Sequence, residues 1–200
     1  MKKHIKNMVS NRCINQVSGI LTDMGIPFLV IELGEVTFEQ KLSMIQELDF
    51  QYKLKQVGLD LIVDAKMLLS EKIKLVIIQM IHYSDEHIKT NFSVYLSEKT
   101  NLNYTYLSNV FRTENNMTIQ QFIIIHKIER IKELLLYGEM NLSEISYKMN
   151  YSSIAHLSNQ FKKITGLSPT EYRQLDVIHR IPLDEIGNMG VKALVQHKNA

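Results

Sequence analysis

The segment that begins at Asn91 is written a second time from Asn141. At a constant offset of fifty residues, Asn91 falls on Asn141 and Ser93 on Ser143. Leu107, Ser108, Asn109 and Phe111 fall on Leu157, Ser158, Asn159 and Phe161, and Phe122 falls on Tyr172. A period of this kind means that one supersecondary unit has been built twice. Each copy reads as a capped helix, a polar turn and a second amphipathic helix, which is a helix-turn-helix unit. The copies differ by a one-residue slip in the first helix and its turn. Between them, Phe122, Ile125, Ile128, Ile131 and Leu134 form one stripe over Thr118 to Tyr137, and Gly138 supplies a stop. That predicts a helix of about 30 Å at 1.5 Å per residue. Only helices are expected beyond residue 68.

The second helix of each unit is expected over Tyr104 to about Glu114 and Ile154 to about Thr165. Leu107, Val110 and Phe111 make the apolar stripe of the first, which leaves Tyr104, Thr105, Ser108, Asn109 and Arg112 on the open face. In the second, Leu157, Phe161 and Ile164 are the stripe, and Ala155, His156, Ser158, Asn159, Lys162 and Lys163 lie outward or at its edge. Both open faces are polar and uncharged at the centre, with cations toward the C-terminal end. Asn and Ser at such positions can reach base edges in a major groove while Lys and Arg meet phosphates. Either face alone also fits a plain solvated helix. The connecting helix argues against that, since about 30 Å approaches the roughly 34 Å of one DNA turn and would set two such helices into successive groove segments.

Ahead of the repeat, residues 1–66 alternate strand and helix signals. Lys3 to Val9 reads as a strand, and Ile14, Val17, Leu21 and Met24 as a helix stopped by Gly25 and Pro27. FLVIEL from Phe28, a turn at Gly34 and EVTF to Phe38 suggest a hairpin. Leu42, Ile45, Leu48 and Tyr52 mark a second helical stripe, and the alternation of Leu59, Leu61 and Val63 a last strand. The expected fold is therefore α+β, a ferredoxin-like βαββαβ domain at 1–66 followed by an all-α domain of two helix-turn-helix units joined by a long helix. Ile73, Val76, Ile77, Met80 and Ile81 predict an amphipathic connector over 67–83, which either packs on its own neighbours or dimerises.

Other chemistry finds little support. The histidines at 4, 82, 87, 126, 156, 179 and 197 show neither HxxxH nor HExxH spacing. Neither GxGxxG, a Walker loop nor GxSxG occurs, so no catalysis and no cofactor are expected. Glu129 and Glu133 sit among Arg130 and Lys132, where helix-face ion pairs are the expected role. The ten methionines are read as packing residues. The single cysteine, Cys13, excludes an internal disulfide framework and Cys-rich zinc sites. Apolar runs fall far short of the roughly 20 residues of a membrane span, and no cleavable leader is apparent, so the cytoplasm is the expected compartment. A net charge of +2 permits nucleic-acid binding without demanding it.

Residues 84–175, through NYTYLSNVFR, IIIHKIERIKELL and NLSEISYKMNYSSIAHLSNQFKKITGLSPTEYR, resemble the complete two-unit DNA-binding domain of the AraC/XylS regulators. The resemblance implies a transcription regulator with double-stranded DNA as its partner. It implies base-facing positions at Tyr104, Thr105, Ser108 and Asn109, and at Ile154, Ala155, His156, Ser158 and Asn159, with Arg112, Lys162 and Lys163 on the backbone. Many members carry a long side chain such as arginine after the serine-like position, where this chain has Asn109 and Asn159. Asn commonly reads adenine, which favours A·T at those steps, although Asn can equally contact phosphate or water. Residues 1–66 resemble the heavy-metal-associated fold, whose strand ends in MxCxxC. Here Met8, Ser10 and Cys13 stand at that spacing, so the first thiol is missing and a soft metal loses a ligand. An effector or protein partner at this domain is the expectation, a metal or redox sensor acting through Cys13 is the alternative, and a homodimer is left open. Ile181, Leu183, Ile186, Val191 and Leu194 suggest a short packed helix in the tail, 176–200, whose role the sequence does not indicate.

Overall fold

The computed structural model describes residues 1–84, 91–175 and 180–186. The chain divides into two compact units, Met1–Leu75 and Val76–Ala200. The expected connector, 67–83, is divided between the two.

The first unit runs β1 (Lys2–Lys6), α1 (Asn11–Asp23), β2 (Phe28–Glu32), β3 (Glu35–Phe38), α2 (Met44–Gln56) and β4 (Asp60–Leu61), followed by the start of α3 (Ala65–Ile78). The four strands form one antiparallel sheet in the order β2-β3-β1-β4. Its core gathers Ile5, Val36, Phe38 and Leu61 from the strands with Cys13, Val17 and Leu21 of α1 and Phe50 and Leu54 of α2. β1 stops earlier than the sequence suggests because Asn7 turns into the left-handed region at φ 64°. β4 is likewise shorter: Leu59 and Leu61 are buried, but Val63 is 88% exposed.

One stripe was misassigned. Of the residues expected to bury α2, Leu42 does so from the preceding turn, whereas Ile45, Leu48 and Tyr52 are 80%, 57% and 63% exposed. α2 carries two apolar faces, and the sheet takes the one formed by Phe50 and Leu54, with Phe38 edge-on to Phe50 at 6.0 Å.

α3 contributes a buried ion pair to the same unit. Glu71 accepts from Lys74 Nζ at 2.7 Å through Oε1 and from the Asn7 backbone N–H at 3.0 Å through Oε2. Both charges are almost fully buried. Further on, α3 continues into a π-helical turn, Gln79–Tyr83.

In the second unit the order is α4 (Phe92–Thr100), α5 (Tyr104–Asn115), α6 (Ile119–Tyr137), α7 (Leu142–Lys148), α8 (Ile154–Thr165), α9 (Pro169–Arg173) and α10 (Leu183–Ile186). Thr118 and Gln121 open α6 with a capping box, and Gly138 ends it at φ 69°, where the sequence places a stop. The ion pairs expected on α6 form between Glu129 and Lys132 at 2.6 Å and between Arg130 and Glu133 at 2.8 Å. Ile181 N–H donates to Glu129 Oε2 at 3.1 Å, and Ile186 is buried, so the described part of the tail docks on α6. Val191 and Leu194 lie outside the described residues.

His82, in the π-helical turn, faces His126 of α6 with Nε2 and Nδ1 3.2 Å apart. Burial, helped by Arg130 and Arg180 and opposed by Glu133, lowers its pKa to about 4.

Two outcomes follow from these buried charges. Replacing Glu71 with Ala strands Lys74 and the Asn7 amide, and should cost about 3–5 kcal/mol in denaturant unfolding. Changing Glu71 and Lys74 together to Met should restore the part due to the stranded ammonium but not that of the Asn7 N–H, which stays without its acceptor. For His82 the folded value lies below the ordinary one, so the unfolded chain binds the proton first. Stability is complete above about pH 6.5 and falls by up to about 3 kcal/mol as the pH drops toward 4. His82→Gln should flatten urea midpoints over that window.

Candidate nucleic-acid interface

The fifty-residue offset holds in three dimensions. Asn91 and Asn141 cap α4 and α7, each accepting from a backbone N–H two residues on. Asn103 and Ser153 cap α5 and α8, at 2.8 Å to Thr105 N and 3.0 Å to His156 N. Left-handed residues end those helices at Asn116 and Gly166, and capping boxes on Thr118 and Ser168 open the next. Phe111 meets Phe122 with ring centroids 5.3 Å apart, and Phe161 meets Tyr172 at the same 5.3 Å, both edge-on. The slip is also real: the left-handed turn residue is Asn101 in the first copy and Asn150 in the second, one position early at that offset.

These caps orient the two outward helices. Leu107, Val110 and Phe111 bury one side of α5, and Leu157 and Phe161 one side of α8. On the other side Thr105, Asn109 and Arg112 are exposed and Ser108 and Tyr104 are half-buried, with burial raising the Tyr104 pKa. Ile154, Ala155, His156, Asn159, Lys162 and Lys163 are exposed on α8, and Ser158 is half-buried. All twelve residues singled out from sequence thus reach the surface of the second helix of their unit. Among the described residues, none makes a hydrogen bond to the side chain of Asn109 or Asn159, whose amides remain available for a ligand.

Sequence reasoning missed three contributors. Tyr106 of α5 is 47% exposed beside the chosen residues. Ser152 holds His156 Nδ1 at 3.0 Å, which sets the imidazole at the start of α8. Tyr151 hydrogen-bonds Gln160 Oε1 at 2.5 Å and lies edge-on to His156 at 5.2 Å, with burial pushing its hydroxyl pKa up. A Ser-Ser pair ahead of a helix signals the cap, but no spacing rule announces the Tyr151 contact.

In the first unit, Cys13 is buried with Sγ 3.3 Å from Ser10 Oγ and turned toward the Asn7 carbonyl at 3.8 Å. Among the described residues, no three His, Cys, Asp or Glu groups are arranged to hold a metal, and no helix is long and apolar enough to cross a membrane.

Residues 96–175 match the family model described as a helix-turn-helix domain. The C-terminal part of the chain thus carries a helix-turn-helix domain. The matched span opens within α4 and closes just past α9, so it holds nearly all of both repeats. Over 167 residues the chain is 23% identical to the uncharacterized HTH-type transcriptional regulator YtdP of Bacillus subtilis, covering 82% of this chain and 21% of that protein. The Msm operon regulatory protein of Streptococcus mutans is 30% identical over 79 residues, 40% of this chain and 28% of that one. For the xylose operon regulatory protein of Escherichia coli the identity is 28% over 101 residues, 50% of this chain and 26% of that one. The chain thus spans about a fifth to somewhat over a quarter of the length of these regulators. Among solved structures, the C-terminal domain of AraT, a response regulator from Geobacillus stearothermophilus, aligns at 26% identity and a TM-score of 0.47, over 56% of this chain and 88% of that one.

The caps of the helix-turn-helix domain can be separated by substitution. Ser153→Ala should cost about 1 kcal/mol in chemical denaturation through loss of the α8 N-cap. Ser152→Ala should leave stability within about 0.5 kcal/mol while freeing the His156 ring, visible as a shifted and broadened imidazole NMR signal.

Proposed function

We propose that this chain is a sequence-specific DNA-binding transcription regulator that uses α5 and α8 as a pair of recognition helices. The observation that carries this reading is the repeated unit itself: two outward helices with matching caps and matching aromatic packing, joined by one helix of nineteen residues. Nineteen residues at 1.5 Å each make about 28 Å, somewhat less than the roughly 34 Å of one turn of duplex, so the pair is scaled to successive major-groove segments. Tyr104, Thr105, Ser108 and Asn109 would meet bases from the first helix, and Ile154, Ala155, His156, Ser158 and Asn159 from the second. Arg112, Lys162 and Lys163 would neutralise phosphates. The relatives' names, which describe operon and transcriptional regulators, support the same reading.

For the first unit, the βαββαβ order and the strand order β2-β3-β1-β4 support a ferredoxin-like fold. With Ser10 in place of a first thiol and Cys13 sealed in the core, it fits an effector-binding or protein-interaction module better than a soft-metal site. Regulation by an effector at this unit, and pairing of two chains, belong to the same proposal. Functionally the chain then divides at 1–66, 67–83, 84–175 and 176–200.

Selection of random duplexes on the purified chain tests the main claim. Two short motifs about one helical turn apart should be enriched, with affinity falling steeply as salt rises. Lys162→Ala or Lys163→Ala should lower the salt slope by about 1 without changing the motif. Asn109→Ala and Asn159→Ala should each relax preference at one A·T step, by about 1–3 kcal/mol. Enrichment of guanine at those steps would remove the adenine assignment, and enrichment of nothing at all would remove the regulator reading for the chain on its own.

A further inference from the structure

Lys127 lies on α6 between the residues that pack on the first repeat and those that pack on the second. Its ammonium stands 5.3 Å from the ring centroid of Phe92, the first residue of α4, and 5.1 Å from that of Tyr151, in the turn between α7 and α8. It also donates a 2.7 Å hydrogen bond to the carbonyl of Met149, which ends α7. One cation is therefore held by an aromatic ring from each repeat and by a backbone oxygen of the second. Carbonyls at a helix C-terminus lack intrahelical partners and carry the negative end of the dipole, so Met149 suits a cation.

The contacts extend to both outward helices. Phe92 opens α4, which packs directly on α5. Tyr151 is tied through its hydroxyl to Gln160 of α8. Apolar packing of each repeat on α6 is non-directional and by itself limits rocking about the helix axis less than a directional contact does. A charge-assisted hydrogen bond with two ring faces has defined geometry and resists it. Burial lowers the Lys127 pKa to about 8, in keeping with an ammonium largely enclosed by these partners.

We infer that Lys127 is a positioning residue that locks the two helix-turn-helix units into one mutual orientation, and thereby sets the single half-site spacing at which both grip a duplex. The second half of this inference rests on the DNA-binding reading above, while the first does not.

The test uses the full chain with Cys13→Ser, and spin labels on cysteines introduced at Glu98 of α4 and Ser143 of α7. Both sites are exposed and lie outside the proposed recognition faces. Double electron–electron resonance should give a narrow distance distribution in this parent and in Lys127→Arg. Lys127→Met, which keeps the stem and loses the charge, should broaden it roughly twofold. Phe92→Leu removes one wall without touching the lysine and should broaden it in the same direction, which keeps the test decisive if the Met variant does not fold. Unchanged widths in the folded variants overturn the inference.

On the selected duplex, Lys127→Met should lose about tenfold in affinity, the scale of one or two such contacts. It should tolerate insertions of three base pairs between half-sites that the parent rejects, and bind an isolated half-site within about twofold of the parent. Equal losses on the half-site and the bipartite duplex also overturn it. Broadened distances in a chain that selects no duplex would uphold the positioning role and defeat the DNA reading.

Discussion

A helix buried on most of its circumference must be surrounded, and α6 is such a helix. Eleven of its nineteen residues are buried, so a single apolar face packed on one partner could not satisfy it. Phe122 serves Phe111 of the first repeat, while Ile128, Ile131, Leu134 and Leu135 join Ile145, Leu157, Phe161 and Tyr172 in the second. Neither repeat has a complete core without it. The outward helices, their caps and their exposed faces all take their places from this shared element, which makes the helical unit one cooperative object rather than two small ones.

Buried charge is handled in the same way in both units. Glu71 and Glu129 each pair with a lysine three residues on, and each gives its other oxygen to a backbone N–H far away in sequence, Asn7 and Ile181. A carboxylate with both oxygens occupied inside the protein can remain charged there, whereas an unpaired one could not. The geometry turns a local helix pair into a tie between distant segments: the end of β1 to α3 in one case, the residues before α10 to α6 in the other.

What could be read in the sequence followed how local the signal was. The repeat, the stop at Gly138 and the outward placement of Asn109 and Asn159 all rest on residues within a few positions of one another, and each is found where expected. α2 was misread because it has two apolar stripes. Spacing identifies a stripe but not which one a sheet will cover, and the sheet takes Phe50 and Leu54 and leaves Ile45, Leu48 and Tyr52 exposed. β1 and β4 came out short because strand length depends on partners, and Asn7 leaves the sheet through a positive φ that no pattern of apolar residues encodes. Lys127 was invisible for a further reason: its partners lie 35 positions before and 24 after it, at Phe92 and Tyr151.

The two outward faces share caps and packing but not chemistry. Tyr104 and Thr105 stand where the other copy has Ile154 and Ala155, and the turn leading to the second is displaced by one residue. Equal scaffolds with unequal surfaces leave no true dyad within the domain. Two faces of different chemistry on one shared helix give the domain a direction, from the first repeat to the second, that its matching caps and packing do not by themselves reveal.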